Sequence, residues 1–268
     1  MTDALGNEIL LHAPAERIVS LAPNVTEIIY FAGAGQKLVA VSAYSDWPLA
    51  ARELPRVGDA FRVDLERVVA LAPDLVIVDA SSTPSVVRDA LRRLGIPLLL
   101  LSPHKLDDVA EAVKLVGKAA GTQAVAHRVA EAFSRVRKRL MQAHENSEPV
   151  SVLYEISGKP LYTIGGSQII SRVIRLCGGR NIFAGLGKLA PIVSRAAVLA
   201  RNPQVILTGS GPRAQLRLNA WKRWPWLAAV KADNLFILPN AVLGRASPRI
   251  LLGAVAVCRN LEKARRRL

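Results

Sequence analysis

The sequence predicts an α/β protein of two Rossmann-like α/β lobes joined by a single long helix, with a ligand cleft between the lobes. Three observations carry this. Residues 121–147 hold Val125, Val129, Ala132, Phe133, Val136 and Leu140 at three- and four-residue steps, the period of one helix face, with Arg128, Glu131, Arg135, Arg137, Lys138 and Arg139 around the rest. Short apolar runs alternate with amphipathic stretches on both sides of this helix, the pattern of a parallel sheet with crossover helices. Finally, residues 66–77 align without gaps with residues 196–207, at an offset of 130 residues (Glu66 to Ala196). Each copy reads as a short helix, a proline turn and a buried strand, and a unit recurring once at that distance means two related lobes rather than a solenoid. The predicted domains are a first lobe over 1–120, a connecting helix over 121–147 and a second lobe over 148–268.

In the first lobe, residues 5–12 read as a short hairpin or edge segment and residues 17–21 as a buried strand. Asn24 or Thr26 is the expected N-cap of the helix over 28–32. Strands follow over 38–42, 75–78 and 98–101, with helices over 65–71 (capped by Asp64), 85–94 and 106–121. In the second lobe, residues 150–155 read as a strand, 162–167 as a turn, 168–176 as a helix, 235–238 as a strand and 250–265 as a last helix. In parallel sheets ligands sit beyond the carboxyl ends of the strands. The segments Pro23-Asn24 and Tyr44 to Pro48 fall at such ends, and Tyr44 is read as facing a ligand.

Composition bounds the function. Half of the 268 residues are hydrophobic, enough for a sizeable core, and the net charge is +15. The basic residues are scattered over helix faces and the C-terminal tail, without a zinc-finger, helix-turn-helix or RNA-recognition signature, so solvated faces are favoured over a nucleic-acid partner. No apolar run is long enough to span a bilayer. Residues 1–8 are polar and do not read as a signal peptide, so an exported protein is here expected in its mature form. The four histidines are isolated, and His127 and His144, on or near the long helix, are expected to face solvent. No HExxH, GxSxG or paired-carboxylate motif is present, and the residues point to a binder rather than an enzyme. Gly165-Gly166-Ser167 lacks the spacing of a phosphate loop. The only cysteines, Cys177 and Cys258, are two buried thiols or one disulfide; spacing does not choose.

RIVSLAPNVTEI (17–28), VSAYSDWP (41–48), LERVVALAPDLVI (65–77), VIRLCGGRNIF (173–183), VSRAAVLARNPQ (193–204) and RASPRIL (245–251) together resemble the helical-hinge periplasmic binding proteins of ABC importers, over nearly the whole chain. That class carries metal chelates such as cobalamin, ferric siderophores and haem. The resemblance is nearest to its cobalamin-binding members. It implies a periplasmic monomer that captures a cobalamin-like corrinoid and hands it to an importer permease with its ATPase, with no cofactor of its own, no resident metal and little hinge closure. The alternative is a ferric siderophore or haem as ligand and, further off, an enzyme on a related two-lobed fold. The resemblance implies ligand contacts from Asn24, Tyr44, Phe61, Tyr162 and Leu243, permease docking through Glu66, and a Cys177–Cys258 disulfide.

The chain departs from the family pattern at two places. The second docking acid falls at Ala196, the repeat partner of Glu66, where the charge is lost. Pocket tryptophans fall at Ala60, Asp79 and Ala190, with Phe61 a substitute for one. Residues 240–244 stand where a loop with acidic and aromatic contacts is expected. Aromatic faces supply much of the contact area for a large planar ligand, so these losses imply weaker binding, another chelate or a wider range.

Overall fold

A computed structural model describes residues 1–59 and 62–268. The chain divides into two compact units, Met1–Pro103 with Asp107–Ser134, and His104–Leu106 with Arg135–Leu268. The boundary falls inside the long helix expected to connect the lobes.

The first unit is built on a parallel sheet in the order β2-β1-β3-β4, from β1 (Ile18–Ser20), β2 (Leu38–Val41), β3 (Leu75–Asp79) and β4 (Leu98–Leu101). These strands read as unbroken apolar runs because both sheet faces are covered. Ile18, Leu75, Ile77, Leu99 and Leu101 pack with Val25, Ile28 and Ile29 of α1 (Pro23–Phe31) and with Val113 and Val116 of α4 (Leu106–Ala119). The alternate residues Val19, Val76, Val78, Leu98 and Leu100 pack with Val68 of α2 (Leu65–Ala70) and Leu91 of α3 (Ser85–Arg93). Successive side chains of a strand point to opposite faces, so one continuous apolar strand serves two cores.

Helix α1 begins earlier than expected. Its N-cap is Ala22, with Pro23 in the first turn, so neither Asn24 nor Thr26 caps it. Proline fixes φ and lacks an N–H, which suits the first helical position and leaves Asn24 and Thr26 inside the helix.

The second unit repeats the plan. Strands β7 (Gly179–Asn181), β5 (Val150–Gly158), β8 (Val205–Gly209) and β9 (Leu235–Leu238) pair in parallel through β5 and β8. An added strand, β6 (Leu161–Thr163), folds back antiparallel on the end of β5. The segment expected as a turn over 162–167 thus begins in a strand, and β7 lies where only a helix end was expected. Helices α6 (Ile169–Leu176), α7 (Arg195–Arg201), α8 (Ala214–Trp221), α9 (Ala228–Lys231), α10 (Asn240–Leu243) and α11 (Ile250–Arg265) surround the sheet.

The internal repeat holds residue by residue. Helix α2 starts at Leu65 and α7 at Arg195; β3 spans Leu75–Asp79 and β8 spans Val205–Gly209, all at the same offset. Asp64 and Ser194 are the N-caps, accepting from the backbone N–H of Arg67 at 3.0 Å and of Ala197 at 3.1 Å. Each cap satisfies an otherwise unpaired helix donor, a contribution of about 1 kcal/mol.

Helix α5 (Gln123–His144) has 22 residues, a length of about 33 Å. Its buried face is rotated from the one expected: Ala126, Ala130, Phe133 and His144 are buried, whereas Ala132 and Val136 are exposed. Small residues explain this. Gly117 of α4 lies so close to Ala126 that an added Cβ would overlap it, so the two helices meet through alanine and glycine rather than through the larger valines. His144 was expected in solvent. It is buried, with Nδ1 3.5 Å from a carboxylate oxygen of Glu262 on α11. His127 is exposed, as expected.

Cys177 and Cys258 are bonded, joining the C-cap of α6 to α11 across 81 residues of sequence. Beside the bridge, Arg265 donates from Nη2 to the carbonyls of Cys177 (2.8 Å) and Gly178 (3.0 Å), and from Nε to that of Glu148 (2.9 Å). A cation there meets the unsatisfied carbonyls and negative end of α6.

Candidate functional site

The loops at the carboxyl ends of the first unit's strands are held by two polar clusters. In one, Ser20, Thr26, Ser42 and Ser45 form a buried hydroxyl chain: Ser20 Oγ to Thr26 Oγ1 2.8 Å, Thr26 Oγ1 to Ser45 Oγ 2.9 Å, Ser45 Oγ to Ser42 Oγ 3.1 Å. Hydroxyls both donate and accept, so such a chain satisfies its own members without a charge. In the other, Asp79 at the end of β3 accepts from Asn24 Nδ2 at 2.6 Å and from the backbone N–H of Ser81 at 2.8 Å. Asn24 is thereby buried and committed to Asp79, so it fixes the start of α1 rather than standing free on the surface.

These anchors present Tyr44. Arg56 Nη1 donates to the carbonyls of Ser42 (3.2 Å) and Ser45 (2.9 Å), and the Ala43 N–H bonds to the Gly58 carbonyl at 2.7 Å. Downstream, Trp47 stacks on Phe31 with ring centroids 5.2 Å apart. Between fixed neighbours, Tyr44 has φ +65° and is 77% exposed. A bulky non-glycine residue in the left-handed region is strained, and such strain persists where surrounding contacts over-determine the backbone. Here those contacts hold a large aromatic side chain out of the core. Phe61 and Ala60 lie outside the described residues. Glu66 is exposed in the first turn of α2.

In the second unit, Tyr162 is half-buried on β6, its backbone paired with Ser157 and Ile192. The segment expected as a loop over 240–244 is instead the short helix α10. Leu243 is fully buried, and Gly253 of α11 lies so close that an added Cβ would come within 3.0 Å of it. This corrects the expectation for Leu243: its side chain is a packing anchor for α10, Val242 is buried beside it, and Asn240, Ala241 and Gly244 are the exposed residues of the segment. Ala196 is exposed at the start of α7.

Sequence reasoning missed one cluster. Glu155, on β5, is 2% exposed and accepts from Trp221 Nε1 at 2.6 Å. Arg217 of α8 donates to Thr208 Oγ1 (2.8 Å) and the Gly209 carbonyl (2.7 Å), and Arg195 Nη2 donates to the Gly158 carbonyl (3.2 Å). The groups are far apart in sequence and belong to no motif; the one local signal is an acid ending the apolar run VSVLYE. Burial raises the Glu155 pKa, opposed by the Trp221 hydrogen bond and by the charges of Arg217 and Arg195. Burial also pushes the neighbouring Tyr154 phenol up to about 12.

A carboxyl whose folded pKa is raised binds its proton more tightly in the folded than in the unfolded chain. Its contribution to stability is therefore fullest below the ordinary glutamate value of about 4.3 and is lost as pH rises through the folded value. Glu155→Gln keeps an acceptor for Trp221 and removes the ionisation. The variant is expected to flatten the pH dependence of stability from about pH 4.3 upward and to be no less stable than the parent at pH 7. Urea melts of both proteins across that range check this.

Among the described residues, no group of three His, Cys, Asp or Glu side chains is placed to hold a metal ion, and no helix is long and apolar enough to cross a membrane. What the chain offers is two α/β units of one plan, the first with the exposed Tyr44 at a strand end. That is the architecture of a solute-binding protein, and a family model described as periplasmic binding protein matches residues 18–242. The chain belongs to that family.

Its relatives narrow the class. The chain is 37% identical over 248 residues to a vitamin B12-binding protein of Yersinia pestis, covering 92% of this chain and 86% of the relative. It is 32% identical over 259 residues to a vitamin B12-binding protein of Vibrio parahaemolyticus, covering 96% and 94%. The crystal structure of the periplasmic vitamin B12 binding protein of Vibrio cholerae superposes with a TM-score of 0.88 at 36% identity, over 94% of this chain and 98% of that one. A periplasmic haem-binding protein in complex with two haems shares the fold at 21% identity, with a TM-score of 0.83 over 94% and 99%.

Proposed function

We propose that this protein is a periplasmic solute-binding protein that captures a cobalamin-like corrinoid and delivers it to an ABC importer permease, without chemistry on the ligand. The observation that carries this is Tyr44: an aromatic side chain in a strained backbone conformation, exposed at a strand end, with both neighbours hydrogen-bonded in place. Rings held rigidly before binding lose little entropy on contact and suit a large, flat, partly apolar chelate. Relatives named for vitamin B12 binding at 32% and 37% identity support the corrinoid over other chelates. In the second unit the resemblance points to Tyr162 and to the exposed residues of the segment 240–244.

A thermal-shift screen with cyanocobalamin, haemin and a ferric siderophore tests the assignment. Binding to the folded state raises its stability by RT ln(1 + [L]/Kd), about 2.7 kcal/mol at a hundredfold excess over Kd. The expected result is a shift with cyanocobalamin that exceeds the other two; a shift with haemin alone transfers the assignment to haem.

Docking to the permease rests on Glu66. It is exposed at a helix start and its removal touches no core residue. Its repeat partner Ala196 carries no charge, so electrostatic docking is one-sided. Glu66→Ala is expected to leave ligand affinity unchanged and to reduce ligand-stimulated ATPase activity of the reconstituted importer severalfold. An unchanged ATPase response would remove Glu66 from the interface.

A further inference from the structure

The second unit contains a cavity of about 350 Å³ between the end of β5 and helix α8, lined by Glu155, Lys159, Arg195, Arg213, Arg217 and Trp221, among others. None of the residues named for the corrinoid lines it. Four cations face one carboxylate, and that carboxylate is buried and already accepts from Trp221. The side chains of Lys159 and Arg213 have neither hydrogen bond nor ion pair among the described residues. Arg217 is different: its guanidinium is fixed by Thr208 Oγ1 and the Gly209 carbonyl, so it is oriented before anything binds. Leu216, Ala220 and the Trp221 ring give the remaining wall an apolar character.

We propose that this cavity is a binding site for a small organic carboxylate. The excess of positive charge selects an anion, and guanidinium groups match a carboxylate with two parallel hydrogen bonds. The apolar wall and a volume at the lower end for small-molecule sites favour an organic body over a bare inorganic ion. At about 350 Å³ the cavity is too small to enclose a corrinoid, so its occupant is a smaller molecule. Glu155 tunes the site: its negative charge opposes the anion, and any shift toward its protonated form strengthens binding.

Citrate is the probe. Isothermal titration of the full chain at low ionic strength, with inorganic phosphate as comparison, is expected to show saturable citrate binding tighter than phosphate. Lys159→Glu with Arg213→Glu, both at exposed positions, is expected to weaken citrate at least tenfold while cyanocobalamin affinity and the melting curve stay as in the parent. Glu155→Gln is expected to strengthen citrate severalfold. The proposal is overturned if citrate does not bind the parent at millimolar concentration, if the double variant binds it equally well, or if phosphate binds as tightly. A failed cyanocobalamin titration with citrate binding intact would count against the corrinoid assignment alone.

Discussion

Replacing Cys177 and Cys258 together by alanine is expected to lower stability by about 2–5 kcal/mol. The bridge closes a loop of 81 residues, for which chain entropy alone predicts about 4.5 kcal/mol. Its placement argues for a value near the upper end. It joins the end of α6 to the middle of α11, two helices that pack on each other through buried Val173, Ile174, Ala254, Val257 and Leu261. Arg265 ties the same junction to three backbone carbonyls. Removing the bridge therefore leaves the folded contacts in place and acts mainly by releasing the unfolded chain. Two urea melts decide it, one of the double variant and one of the parent with reductant, and both should move by a similar amount. A double variant as stable as the oxidised parent would mean the unfolded chain is not expanded enough for the bridge to matter. Both thiols reacting in the denatured, unreduced protein would show that the bond is absent in solution.

Tyr44→Ala is expected to weaken corrinoid binding by about ten- to a hundredfold, the range for an aromatic anchor that supplies contact area at low entropic cost. Stability should change little, because the ring is 77% exposed and the loop backbone is held by Ser42, Ser45 and Arg56. Tyr44→Gly separates the two roles of this position. Glycine adopts φ +65° without strain, which offsets its greater freedom in the unfolded chain. That variant is expected to melt within about 1 kcal/mol of the parent and to bind as poorly as the alanine variant. A glycine variant that loses several kcal/mol would show that the tyrosine packs on the loop beneath it instead of serving the ligand.

The periodic parts of this chain were legible from its residues. The strands of the first sheet, the last helix to the residue, and the cap Asp64 follow from local chemistry, and the offset of 130 residues places the repeat without reference to structure. The failures have physical reasons. Strands β6 and β7 have three residues each, too few to show a period, and exist only because β5 offers an edge. The buried face of α5 is set by how closely Gly117 lets α4 approach, so alanines displaced the valines that hydrophobicity favours. Asn24 looked like a cap because its side chain suits one, but Pro23 occupies the first turn and Asp79, far along the chain, claims the amide. Leu243 was assigned to a ligand loop that is a helix, with its side chain turned inward. The Glu155–Trp221–Arg217 cluster is assembled from three elements and has no signature in any of them. The disulfide, by contrast, followed from family resemblance and not from cysteine spacing.

The proposed corrinoid assignment stands on Tyr44, an exposed ring on a strained backbone. The most direct measurement is a cyanocobalamin titration by calorimetry, run in parallel on the parent and on Tyr44→Ala. Saturable one-to-one binding by the parent, weakened at least tenfold in the variant with an unchanged melting curve, is the predicted result. No saturation in the parent, or equal affinity in both proteins, would contradict it.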